Sequence, residues 1–224
     1  MQKRFLRNKA LISDMEQQLL SQKKVLVVGL GGLGSHAIEG LVRLGIQHFG
    51  ICDNDTTEET NLNRQLLVTE ETLGQNKQNL AKKRIEEINK HANITVYEEN
   101  FPSSKLLSEF AKYDIVMDCL DNIQTRQILE DECIKENIPL IYGAIGGYYS
   151  YFGVSTKENR LIKYQISNLL GVEKKLGNPY FTVSITAGFQ VLLAINVMLK
   201  KEYLKKGFYA LDLKDFTIDE IVID

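Results

Sequence analysis

Residues 24 to 53 read KVLVVGLGGLGSHAIEGLVRLGIQHFGICD. A Val/Leu run from Lys24, a glycine cluster, a helical stretch from about Gly32 to Leu44 and a second apolar run, HFGICD, make a strand, helix, strand unit. Its size is that of a right-handed parallel crossover. The near-continuous apolar content of KVLVV suits a strand buried on both faces. Gly29, Gly31 and Gly34 form G-x-G-x-x-G at the strand-to-helix turn, where missing side chains permit a tight turn and let a nucleotide approach the helix N-terminus. Asp53 ends the second strand, where an acid accepts hydrogen bonds from ribose hydroxyls. The unit points to a nucleotide, and by itself leaves a dinucleotide oxidoreductase open.

Outward from this unit the alternation continues. A polar loop runs from Asn54 to Asn63, and an amphipathic helix from about Gln75 to His91 carries Leu80, Ile85 and Ile88 on one side. ITVYEE reads as a strand, Ser103 to Lys112 as a helix, DIVMDCL as a strand and Ile123 to Asn137 as a helix capped by Asp121 or Asn122. PLIYGAI is the next strand, entered by Pro139. After Gly146 the pattern changes. YYSYFGVST and RLIKYQI read as antiparallel strands, Ser167 to Tyr180 as an irregular loop, Phe181 to about Leu204 as a helix, and FYALDL and FTIDEIVI as closing strands. The predicted fold is α/β: a Rossmann-like, doubly wound, mostly parallel sheet extended by antiparallel C-terminal strands. One continuous domain over residues 1–224 is expected, with an N-terminal helical arm at 1–22 and a crossover loop at 165–180.

Composition bounds the partners. With 44% hydrophobic and 25% charged residues and three prolines, the chain sits in the ordinary globular range. Basic residues number 27 and acidic residues 29, a net charge of −2, so no global positive field gathers nucleic acid or anionic lipid. No nucleic-acid and no membrane partner is expected. Cys52, Cys119 and Cys133 are an odd set with no C-x-x-C pair, against both a disulfide framework and a four-cysteine zinc site. A reducing, cytoplasmic location fits, because MQKRFLRNKALISDMEQQLL lacks the apolar stretch and cleavage site of a secretory signal. Phe181 to Leu199 is the segment nearest to a membrane span, but Thr182, Ser184, Thr186, Gln190 and Asn196 dilute it, and it reads as a buried helix. His36, His48 and His91 show no ligand spacing.

The segment after Asp53 shifts the reading from a dinucleotide to a triphosphate. DNDTTEETNLNRQ brings Asp55, Asn61, Asn63, Arg64 and Gln65 into one loop, and Lys77 opens the next helix. Arg and Lys near a helix N-terminus make a cationic cradle for phosphates, whereas a nicotinamide cofactor needs a hydride-transfer partner. Taken singly, Arg64 and Lys77 read equally well as solvated surface charges. GLGGLGS (Gly29 to Ser35), CDND (Cys52 to Asp55), TNLNRQ (Thr60 to Gln65), GQNK (Gly74 to Lys77) and DCLDN (Asp118 to Asn122) resemble, in order and spacing, the ThiF/MoeB/HesA family. These are bacterial relatives of ubiquitin-activating E1 enzymes. The similarity runs from about Arg4 to the C-terminus and weakens after Ser150.

The resemblance implies an adenylyltransferase. Such an enzyme activates the C-terminal glycine carboxylate of a ubiquitin-like sulfur carrier ending in Gly-Gly, ThiS-like or MoaD-like, for thiamine or molybdopterin biosynthesis. The carboxylate attacks the α-phosphorus of ATP, giving an acyl adenylate and pyrophosphate. Two unit charges about 4 Å apart repel by roughly 4 kcal/mol at an effective dielectric of 20, so cations must offset the approach of two anions. By motif position, Gly29, Gly31, Gly32 and Gly34 form the nucleotide loop, Asp53 holds the ribose with Asp55 beside it, and Asn61, Arg64, Gln65 and Lys77 hold the phosphates. Asp121, next to Asn122, is the magnesium ligand or essential acid near the triphosphate, although the helix cap is its alternative role. Asp118 reads as structural. Arg7, in R-F-L-R, resembles an arginine that reaches the neighbouring subunit's triphosphate, which implies a homodimer; the Phe181 to Leu199 helix is a candidate for its interface. The implied catalytic set is thus Arg64, Lys77, Asp121 and Arg7, with ATP and Mg2+.

The chain departs from the family pattern in two places. It lacks the paired C-x-x-C motifs of many relatives, so no zinc is expected. SNLLGVEKKLGNPYFTVSITAG contains no cysteine, so the reaction should stop at the adenylate. Cys52 and Cys119 read as buried strand-end residues, and Tyr148, Tyr149 and Tyr151 either line a channel for the carrier's tail or belong to a half-buried strand. Two further readings stand beside the main one. An ATP-dependent dehydratase acting on a modified tRNA nucleoside is disfavoured by the near-neutral charge. A non-catalytic pseudo-E1 subunit is disfavoured by the joint presence of Arg64, Lys77 and Asp121.

Overall fold

The structure is a computed structural model that describes residues 3–162 and 176–223. A 3-10 turn at Lys3–Asn8 and helix α1 (Asp14–Gln22) lead into strand β1 (Lys24–Val28). Helix α1 starts at a reciprocal capping box, in which Ser13 and Glu16 each bond the other's backbone N–H. There follow α2 (Gly32–Arg43), β2 (His48–Cys52), α3 (Lys77–Ile88), β3 (Asn93–Tyr97), α4 (Ser104–Glu109), β4 (Ile115–Asp118) and α5 (Ile123–Glu136). The chain closes with β5 (Leu140–Gly146), β6 (Tyr149–Ser155), α6 (Tyr180–Met198), β7 (Phe208–Asp212) and β8 (Thr217–Ile221).

The eight strands form one sheet in the order β3-β2-β1-β4-β5-β6-β7-β8. Pairing is parallel from β3 through β5 and antiparallel from β5 to β8. The order reverses between β1 and β4, which opens a crevice beyond their C-terminal ends. On β1, Val25 and Val27 join a core with α2 and α6, while Leu26 and Val28 join the opposite core with α4 and α5. Each of these side chains is fully buried and contributes about 1.5–3 kcal/mol, which explains why the strand has no polar alternation.

Helix α6 has an 18-residue window of mean hydropathy 1.7 and is long and apolar enough to cross a membrane, yet 56% of that window is buried inside the fold. It packs on α2 and across β4, β5 and β6, as a core helix does. It ends at Met198 rather than near Leu204, because Lys200 takes a left-handed φ of 57° and turns the chain away. The expected strand RLIKYQI is also corrected where it is described. Leu161 and Ile162 are helical and both fully buried, which a half-exposed strand does not allow. Asn159 bonds the carbonyls of Val154 and Gly207, and buried Glu130 accepts the Ile162 N–H, so the backbone leaves the sheet here. The rest of that stretch, and residues 165–175 of the expected crossover loop, lie outside the described residues.

Candidate active site

A cleft of about 330 Å³ opens at the β1/β4 switch point, lined by Gly29, Gly31, Gly32, Asp53, Asp55, Arg64, Gln65, Lys77, Asp121, Asn122 and Arg126, among others. Its floor is the glycine turn. Gly29 has a φ of 91°, and a Cβ there would lie 2.5 Å from the Cys119 carbonyl. The N-cap of α2 is Gly31, with no side-chain cap, which leaves first-turn N–H groups to bind an anion.

Both carboxylate oxygens of Asp53 are held by backbone: Oδ2 accepts the Leu30 N–H at 2.6 Å and Oδ1 the Asp55 N–H at 2.9 Å. Burial pushes its carboxyl above the usual range, while the Leu30 N–H and the nearby Lys77 charge pull it back. Lys77 is brought in by the start of α3, where Asn76 caps the helix and the Lys77 N–H bonds the Asp55 carbonyl at 3.0 Å. It is only 8% exposed. Arg64 bonds the Thr60 carbonyl at 2.8 Å and Asn63 Oδ1 at 2.9 Å, both through Nη1, leaving the other arm of the fork for the cleft.

Asn122, not Asp121, caps α5, accepting the Thr125 N–H at 3.0 Å. Asp121 is exposed at the cleft. Asp118 is fully buried, 3.5 Å from the Arg126 guanidinium.

Three residues implied by motif are not among those lining the cleft. Gly34 lies at the junction of helix and strand, where a Cβ would come within 1.9 Å of the Gly29 carbonyl. Asn61 is buried and shapes its own loop, accepting the Glu58 N–H at 3.1 Å. Arg7 is exposed on the N-terminal 3-10 turn. Conversely, Arg126, Asn100, Phe101 and Asn178 line the cleft without a motif to mark them. For Arg126 a signal existed: helical side chains lean toward the N-terminus, so a cation early in α5 overlies the loop bearing Asp121.

The cleft thiols are inert. Burial, with the Asp53 charge adding to it, pushes Cys52 up to about 12, and burial raises Cys119 well above the usual thiol range, so neither is a thiolate at neutral pH. Among the described residues no group of three or more His, Cys, Asp or Glu is placed to hold a metal ion.

A glycine turn, a backbone-held acid and two cations at the switch point of a doubly wound sheet define a nucleotide-binding α/β protein. The ThiF family model matches residues 5–224, and the chain belongs to the ThiF family. A probable molybdopterin-synthase adenylyltransferase of Porphyra purpurea is 41% identical over 129 residues, covering 58% of this chain and 34% of that protein. One of the same name from Gracilaria tenuistipitata var. liui is 30% identical over 219 residues, covering 92% of this chain and 60% of that protein. The SUMO-activating enzyme subunit 2 of Dictyostelium discoideum is 37% identical over 135 residues, 60% of this chain and 20% of its own length. The chain thus spans less than two thirds of each of these relatives. In fold it matches E. coli MccB with succinimide at a TM-score of 0.81 and 21% identity, over 99% of this chain and 72% of that one.

Proposed function

We propose that this chain is an ATP-dependent adenylyltransferase that activates the C-terminal glycine carboxylate of a ThiS-like or MoaD-like sulfur carrier ending in Gly-Gly. A carrier carboxylate oxygen bonds to the α-phosphorus of ATP, the bond from that phosphorus to the oxygen bridging to the β-phosphate breaks, and pyrophosphate leaves as the acyl adenylate forms. The observation that carries this reading is the nearly buried Lys77 ammonium in one cleft with Arg64 and the uncapped N-terminus of α2. A cation stripped of water there offsets the repulsion between carboxylate and triphosphate.

Asp53 orients the ribose, and Lys77, Arg64 and Gln65 hold the phosphates. The exposed Asp121 carboxylate is a hard oxygen donor that fits magnesium shared with phosphate oxygens; when bound, that ion supplies further charge neutralisation. Arg7 from a second copy completes the cation set in a homodimer. Both cleft thiols are held protonated, which supports a reaction that stops at the adenylate and leaves sulfur transfer to another protein in a reducing cytoplasm. The names of the relatives from Porphyra purpurea and Gracilaria tenuistipitata var. liui favour a carrier for molybdopterin over one for thiamine.

The test is isotope exchange between labelled pyrophosphate and ATP. Exchange dependent on a purified Gly-Gly-ended carrier is expected, whereas exchange with a modified tRNA alone overturns the assignment.

A further inference from the structure

The loop from β4 to α5 presents Asp121 to the cleft; beyond the Cys119 N–H, which donates to the Val28 carbonyl of β1 at 3.0 Å, the Leu120 and Asp121 backbone lies outside any helix or strand, so other groups must hold it. Arg126 is one such group. It is 4% exposed; its Nε donates to the Leu120 carbonyl at 2.7 Å, and its Nη2 donates to the Gly143 carbonyl on β5. The same Nε lies 3.5 Å from Asp118 Oδ1, and that oxygen accepts the Leu120 N–H at 3.1 Å. Leu120, the residue before Asp121, is therefore gripped at its N–H by one member of a buried ion pair and at its C=O by the other. From behind, Gln190 of α6 donates to the Asp118 carbonyl at 2.8 Å and the Ile141 carbonyl at 3.3 Å, tying β4 to β5.

A buried ion pair alone contributes little net stability, since desolvation offsets the attraction. What this pair adds is direction: a planar fork aimed at one carbonyl in the β4–α5 loop and one on β5. We propose that Arg126 is a positioning residue for the adenylation site, fixing the Leu120 peptide so that Asp121 is held toward the triphosphate. The inference rests on the adenylyltransferase reading above.

Arg126→Lys in the full chain tests it, because lysine keeps the charge opposite Asp118 but cannot serve both carbonyls in one plane. In carrier-dependent pyrophosphate–ATP exchange, kcat should fall about 10- to 100-fold, the scale of a misplaced reacting group. KM for ATP should stay within about threefold, because Asp53, Arg64 and Lys77 are untouched. Methylguanidinium should restore part of the kcat of Arg126→Ala, a rescue that a general packing defect does not show. A kcat for Arg126→Lys within about twofold of the unsubstituted protein overturns the inference. If that variant does not fold, Asp118→Asn is read instead: a comparable fall in kcat supports the inference and an unchanged kcat overturns it. Absence of exchange by the unsubstituted protein overturns the adenylyltransferase reading and this inference together, whereas exchange that survives these substitutions undiminished strikes Arg126 alone.

Discussion

Lys77 Nζ lies 3.0 Å from Asp55 Oδ2, the lysine side chain 9% exposed and the aspartate side chain 67% exposed. The pair is lopsided: the cation has lost its water and the anion has kept most of its own. An exposed counter-ion is weakly held, so a phosphate entering the cleft can displace it and take over a cation that is already desolvated. Lys77→Gln should lower the kcat/KM of exchange about 100- to 1,000-fold, the scale of removing one preorganised charge-stabilising donor. Asp55→Asn should change ATP affinity by less than about tenfold, measured by equilibrium nucleotide binding. Equal losses in the two variants would show that Asp55 contacts the ligand.

Gly34→Ala places a methyl 1.9 Å from the Gly29 carbonyl, a clash between backbone and Cβ that no rotamer relieves. It should destabilise the fold by about 3 kcal/mol or more. Gly188→Ala, on α6 with nothing among the described residues within 4 Å of the new methyl, should stabilise by about 0.5–1 kcal/mol. Urea unfolding of both variants beside the parent checks the pair, and a parent-like midpoint for Gly34→Ala would refute the packing role.

Stability should depend on pH through Glu16. The Ser13 N–H, Lys201 and the Ser13 hydroxyl hold its carboxyl down at about 2, from an ordinary value of 4.5. Between those values the unfolded chain binds the extra proton, so the stabilisation is present above pH 4.5 and is lost as pH falls toward 2. Glu16→Gln keeps the capping geometry without the charge. Its melting temperature should lie below the parent's at pH 6 and converge with it near pH 2. The side chain is 31% exposed, so high salt should shrink part of the difference.

None of the three cysteines should react with an aromatic disulfide reagent at pH 8 in the folded protein, and all should react in denaturant. Each is buried, and Cys52 is pushed up to about 12 by burial and the Asp53 charge. Rapid labelling of Cys52 or Cys119 in the native state would show that the cleft admits a thiolate.

The parallel half of the sheet was legible in the sequence because β1 is buried on both faces and its apolar run is unbroken. RLIKYQI misled because an apolar run looks alike in a strand and in a buried turn of helix; what diverts it is buried Glu130, a distant residue that accepts the Ile162 N–H. The end of α6 was misjudged because good helix formers continue past Lys200 in KEYLKK, and the left-handed backbone there stops the helix. In the cleft, Asp53 and Lys77 were visible because each sits at the edge of an element. Phe101 and Asn178 were not, since tertiary contacts alone bring them to the cleft, and Arg126 showed only as a cation early in α5.

The overlap between a Gly34 methyl and the Gly29 carbonyl separates two kinds of signature. Gly34 belongs to the joinery of the sheet, so a descendant that had abandoned its ligand would still be obliged to keep it. Lys77 stands apart from that joinery: its nearly buried ammonium is paired with a solvated carboxylate and lines the cleft. To tell working copies from extinct ones among look-alike chains, the lysine is the residue to interrogate, and the glycines will testify only to ancestry.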